Sequence, residues 1–172
     1  MDLDRAGYID LYFGDESHFG LTPNVPYAWQ HKDDPILLPS KKAQKLSVFG
    51  LMNLDCKLYS KMVIGGFKSI DLIAYLDEFV QTITKRTILI LDNAPIHRSK
   101  IFKAKMELWE KADMYVYFLP PYSPELNKIE ILWRFVKYQW LPFDAFTNFK
   151  NLKQRLDEVL KDIGTKCSIK FY

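Results

Sequence analysis

From Thr87 to Leu91 the chain reads Thr-Ile-Leu-Ile-Leu, five residues without a charge, and the run stops at Asp92. A continuous β-branched and apolar run of this length suits a strand covered on both faces, because neither side of it offers a polar residue to water. A strand of that kind needs partner strands beside it and helices above and below, and the remaining sequence supplies both. Tyr8 to Gly14 is rich in β-formers and predicts a strand ending in the carboxylates Asp15 and Glu16. Leu46 to Asn53 and Lys57 to Val63 predict a hairpin that turns at Leu54, Asp55 and Cys56 and is closed by Gly65 and Gly66. Ser69 is placed to cap a helix in which Ile70, Ile73, Leu76 and Val80 recur on one face. A charged helix from about Ser99 to Lys111, a β-rich run from Met114 to Leu119, a helix from Asn127 to Trp140 and an amphipathic helix over about 148–164 follow. The stretch 21–45, with Pro23, Pro26, Pro35 and Pro39, reads as loop with at most one short strand. This order predicts an α/β domain: a mixed β-sheet of about five strands with helices packed on both faces.

The 172 residues suit one domain spanning 1–172, and a hydrophobic content of 48% fills a single core. The formal net charge of +3 fits a nucleic-acid partner but falls short of the footprint of a dedicated DNA-binding module. The two cysteines, Cys56 and Cys167, lack paired ligand spacing, which argues against both a zinc site and a disulfide framework and points to a reduced, intracellular setting. No apolar run reaches the length of a membrane span, and the start Met1-Asp2-Leu3-Asp4 is not a secretory signal, so a soluble, cytoplasmic protein is expected.

Three acids stand where a strand ends or a helix begins: Asp15, Asp92 and Glu130. Strand ends at one edge of a sheet converge in space, and three carboxylates without a nearby run of Lys or Arg repel one another unless cations neutralise them. Magnesium takes oxygen ligands and is commonly shared between a few carboxylates and substrate phosphates. Two such ions activate an attacking oxygen and stabilise the leaving one in an in-line displacement at phosphorus.

Gly14-Asp15-Glu16-Ser17, then Leu91-Asp92-Asn93-Ala94-Pro95-Ile96-His97, then the fifteen residues from Leu119 through Pro120-Pro121-Tyr122-Ser123-Pro124-Glu125-Leu126-Asn127-Lys128-Ile129-Glu130 to Trp133 closely resemble the three signature blocks of the DDE transposases of the bacterial insertion-sequence and mariner superfamily. The likeness spans roughly residues 8 to 140, and the 38 positions from Asp92 to Glu130 are close to the family's usual separation of its second and third acids. The resemblance implies a ribonuclease H-like fold and a two-metal mechanism using Mg²⁺ or Mn²⁺. In it, water hydrolyses a strand at the transposon end and the freed hydroxyl attacks target DNA. Asp15 would be the first metal ligand, Asp92 the second and bridging one, and Glu130 the third. Glu16 belongs to the same block, but adjacent strand residues face opposite ways, so only one of the two enters the site, and Asp15 is preferred. The resemblance also implies double-stranded DNA as partner, at transposon ends and target, and a homodimer when two ends pair. Lys128 departs from the family, which has proline there, and costs only part of the helix start. Full-length relatives carry an N-terminal helix-turn-helix domain, so the chain is expected to be a catalytic fragment or a split-frame product, with the DNA-binding domain arriving on another chain.

Each acid also has a local reading. Asn127-Lys128-Ile129-Glu130 fits a capping box, Asp92-Asn93-Ala94-Pro95 fits a plain turn, and Asp15 fits a solvated strand end. Their joint pattern outweighs these. His97 is a candidate for touching a scissile phosphate or positioning water, against a hydrogen-bonded structural role; Asn93 is weighed between orienting a metal-bound water and a turn. Lys41 and Lys42 with Lys45, and Arg98 with Lys100, Lys103 and Lys105, are the candidates for phosphate contacts, against a solvated face. Trp29 is open between base stacking and core, His18 and His31 carry less weight, and Trp133 and Trp140 read as core. Two rival functions share the fold: an inactive relic that binds DNA or a partner transposase, and a stand-alone nuclease such as a ribonuclease H or junction resolvase.

Overall fold

The computed structural model describes residues 1–22, 33, 44–121 and 123–171. The readings placed on Trp29, His31, Lys41, Lys42 and the four prolines of the 21–45 stretch lie outside these. The described strands and α-helices, in chain order, are α1 (Asp2–Arg5), β1 (Asp10–Phe19), β2 (Leu46–Asn53), β3 (Leu58–Ile64), α2 (Ser69–Val80), β4 (Thr87–Leu91), α3 (Lys100–Lys111), β5 (Met114–Phe118), α4 (Ile129–Phe135), which a π-helical turn continues over Val136–Trp140, and α5 (Phe149–Asp162).

The five strands form one sheet in the order β3-β2-β1-β4-β5. β1, β2 and β3 pair antiparallel, whereas β4 lies parallel to both β1 and β5. The topology follows from the connections: a short turn suffices between β2 and β3, while β4 and β5 are reached through crossovers that carry α2 and α3. α2 and α3 cover one face through Leu72, Leu76, Phe102 and Trp109, packed on Phe49, Leu51, Leu89 and Leu91. α4 and α5 cover the other through Leu132, Trp133, Leu152 and Leu156, packed on Leu11, Phe13, Val48 and Met52. The expected mixed sheet with helices on both faces is the observed one, and β4 is an interior strand between β1 and β5, as its uninterrupted apolar run requires.

Three local expectations need correction. β1 does not end at Gly14 but continues to Phe19, so Asp15 lies inside the strand. Its polar residues are tolerated there because partners exist: Glu16 Oε1 accepts the Phe67 N–H at 3.1 Å, and the His18 ring bonds Ser47 Oγ at 2.8 Å. In α2, Ile70 is 62% exposed, and the buried face is Leu72, Ile73, Tyr75, Leu76, Phe79 and Val80. The cap is Lys68 rather than Ser69, whose hydroxyl instead donates to the Ile96 carbonyl.

Candidate active site

Asp15 and Asp92 are carried in the same direction by neighbouring parallel strands. β1 and β4 pair from Asp10–Thr87 to Phe13–Ile90. The ladder stops there and Asp92 follows β4 by one residue, yet its charge, with that of Glu130, reaches the Asp15 carboxyl. Alternation assigns the face. Leu11 and Phe13 of β1 pack in the core under α4 and α5, so Asp15 belongs to that side too. Glu16 points the other way, to Phe67, which removes it from the set.

Glu130 arrives from above on the first turn of α4. That helix sits close to the sheet because Gly50, the β2 partner of Asp15, has no side chain. A Cβ there would meet two ring atoms of Trp133 at 2.8 and 2.9 Å and Ile129 Cδ1 at 3.1 Å. Gly14 plays the same part on the opposite face, where a Cβ would meet Leu91 Cδ2 at 2.6 Å. The capping-box reading of Asn127 and Glu130 does not hold. Asn127 N–H donates to the Pro124 carbonyl, and its side-chain amide crosses to the Gly14 carbonyl of β1 at 3.2 Å. Asn127 is 2% exposed, and its Oδ1 is buried without a partner. Glu130 and Asp92 line one cavity of about 310 Å³, floored by Pro120, Pro121 and Pro124.

Burial, then the charges of Glu130 and Asp92, push the Asp15 carboxyl up to about 8. Asp92 behaves oppositely: a hydrogen bond from His97, aided by the Ala94 N–H, holds its carboxyl below the usual range. Among the described residues, no three His, Cys, Asp or Glu side chains stand close enough together to enclose a cation. The donor chemistry nonetheless fits a hard divalent ion: the charges of Glu130 and Asp92 both bear on Asp15 and, with its burial, make it hold a proton that a bound cation would displace.

The other named residues separate. His97 is 1% exposed with Nδ1 2.8 Å from Asp92 Oδ1, so burial corrects the expectation that it meets a phosphate. Asn93 donates its side-chain amide to the Leu119 carbonyl, a turn role that ties β4 to β5. Arg98, Lys100 and Lys103 are exposed just beyond the Asp92 turn, whereas Lys105 is taken up by Asp77 at 2.7 Å. Trp133 is buried, as expected. Lys137 is a residue that the sequence reading does not single out. It stands two helical turns past Glu130, over the Phe19 ring at 5.5 Å, and its charge acts on both Glu130 and Asp15. Burial lowers its own affinity for a proton. The seven-residue spacing from Glu130 is the signal that could have found it.

A mixed sheet in this strand order, flanked by helices, with one acid inside the central β1 and a second just past the end of the neighbouring β4, defines the ribonuclease H-like class. The chain belongs to the DDE superfamily endonuclease family, whose profile matches residues 10–153. It is 34% identical over 65 residues to the uncharacterised protein y4pE/y4sA of Sinorhizobium fredii, a match covering 38% of this chain and 44% of that protein. Its fold is similar to the Mos1 transposase in a paired-end complex with the left transposon end (TM-score 0.61, 16% identity, 93% of this chain and 50% of that one). It is also similar to the catalytic core domain of BIV integrase (TM-score 0.54, 12% identity, 91% of this chain and 84% of that one). The chain thus spans half the Mos1 chain and less than half of the curated relative.

Proposed function

We propose that the chain is the catalytic domain of a transposase, which cleaves a DNA strand at a transposon end and transfers it into target DNA. Family membership supports the endonuclease class, and the fold shared with Mos1, crystallised in complexes with Mn and with Mg, supports the finer reading. The observation that carries it is the convergence of charge on the Asp15 carboxyl, which feels both Glu130 on α4 and Asp92 just past β4. Asp15, Asp92 and Glu130 would hold two divalent ions, Mg²⁺ or Mn²⁺. Such ions, when bound, supply activation of the attacking oxygen and stabilisation of the leaving one. The chain's own work is positional. His97 and the Ala94 N–H orient Asp92; Asn127 fixes the start of α4 against β1 at Gly14; Arg98, Lys100 and Lys103 offer cations to the DNA backbone beside the Asp92 turn. In the first step water opens the phosphodiester and releases a strand-end hydroxyl. In the second that hydroxyl attacks a target phosphodiester, one P–O bond forming as another breaks. Two ends acting together imply a dimer during reaction, and end recognition is assigned to a separate domain or chain.

Nicking of a duplex bearing the terminal repeat should require Mn²⁺ or Mg²⁺ and fall about 10³-fold or more in Asp92→Ala while circular dichroism stays unchanged. Nicking that persists in the variant would refute the assignment. A relic that binds DNA without cutting is the second reading, favoured by the spread of the three carboxylates. It predicts duplex binding without carboxylate-dependent Mn²⁺ binding in calorimetry.

A further inference from the structure

His97 sits in the turn between β4 and α3, with its ring between Phe49 and Phe102 at 6.0 Å from each centroid. A buried imidazole is costly unless its nitrogens find partners. Nδ1 meets Asp92 twice, at 2.8 Å from Oδ1 and 3.2 Å from the main-chain carbonyl, while Nε2 is buried without a partner. Two oxygens facing Nδ1 require a proton on it, so in the neutral ring Nε2 carries the lone pair. The Ala94 N–H, at 3.0 Å, donates to the same Oδ1. Both bonds therefore fall on one oxygen of Asp92. What distinguishes this ring from a third phenylalanine in the slot is its Nδ1–H donor.

We propose that His97 is the positioning residue of Asp92: its Nδ1–H fixes Oδ1 within the protein and leaves Oδ2 as the single oxygen offered to a divalent cation. The proposal rests on the reading of Asp92 as a metal ligand. Asp92 lies one residue beyond β4, where the strand ladder no longer constrains its rotamer, so an anchored Oδ1 removes an ordering cost that binding would otherwise meet.

Two substitutions separate a donor from a space-filler. His97→Asn keeps an N–H close to the place of Nδ1, and His97→Phe keeps the ring and loses the donor. Calorimetric titration of the metal-free protein with Mn²⁺ should show affinity reduced about 10- to 100-fold in His97→Phe and within about threefold of the parent in His97→Asn. Wild-type affinity in His97→Phe, or equal losses in both variants, overturns the proposal. Long-range ¹H–¹⁵N spectra of the unsubstituted metal-free protein give an independent readout: an Nδ1-protonated ring whose Nδ1 proton exchanges faster in Asp92→Ala. An Nε2-protonated ring, or an Nδ1 proton indifferent to Asp92→Ala, overturns it whatever the metal does. Mn²⁺ binding indifferent to Asp92→Ala, with the tautomer as stated, sinks the ligand reading of Asp92 instead.

Discussion

Removing the charge of Asp15 should stabilise the metal-free protein while ending its chemistry. The Asp15 carboxyl is raised from 3.8 to about 8, first by burial and then by Glu130 and Asp92. Between those values the unfolded chain has already released a proton that the folded chain retains, so the folded state loses ground as pH rises, by up to about 1.4 kcal/mol per unit. By pH 7 roughly three units have accumulated, a penalty on the order of 4 kcal/mol. Asp15→Asn, of nearly the same shape, does not incur it. Urea unfolding of both proteins in EDTA, from pH 4.5 to 8, should give midpoints that nearly coincide at the acid end and diverge steadily toward the alkaline end, the variant being the more stable. Saturating Mn²⁺ should then stabilise the parent and leave the variant unmoved. A stability gap that is constant with pH, or that narrows as pH rises, would refute the electrostatic account.

Gly50→Ala places a Cβ against Trp133 and Ile129, and should cost about 1–3 kcal/mol and lower strand cleavage with it, because the displaced helix carries Glu130; an unchanged melting temperature would contradict the close approach. Replacing Arg98, Lys100 and Lys103 together by alanine should weaken binding to duplexes of any sequence and reduce the slope of log K against log salt by about 0.9 for each phosphate that is no longer neutralised. An unchanged slope would make these residues an ordinary solvated face.

The elements that can be read from sequence are those whose pattern is set by burial alone. β4 shows an apolar run because both its faces are covered, and α5 shows Leu152, Leu156, Val159 and Leu160 at helical spacing because one face is. The acids are legible through their joint order along the chain. What escapes depends on partners distant in sequence. Glu16, Ser17 and His18 disguise the second half of β1, since nothing local announces that the Phe67 N–H and Ser47 Oγ will satisfy them. Asn127 has every local mark of a cap, yet a main-chain oxygen 113 positions away claims its amide. His97 stays open in the sequence between a phosphate contact and a structural hydrogen bond, because the aromatic slot that buries it is assembled from β2 and α3. The buried face of α2 reads as a narrow stripe, whereas Tyr75 and Phe79 widen it.

The ladder between β1 and β4 stops at Phe13 and Ile90, whereas that between β1 and β2 runs on to Phe19 and Leu46. The sheet therefore forks just before the first acid, and the Asn127 amide fills the crotch as a wedge where the next rung would have been. Because this wedge immediately precedes the third acid's helix, the helix takes its bearings from β1 and not from the proline-rich span leading to it. Insertions or deletions within that span are uncoupled from the placement of Glu130, so the distance along the chain between the second and third acids is free to drift while their separation in space stays fixed.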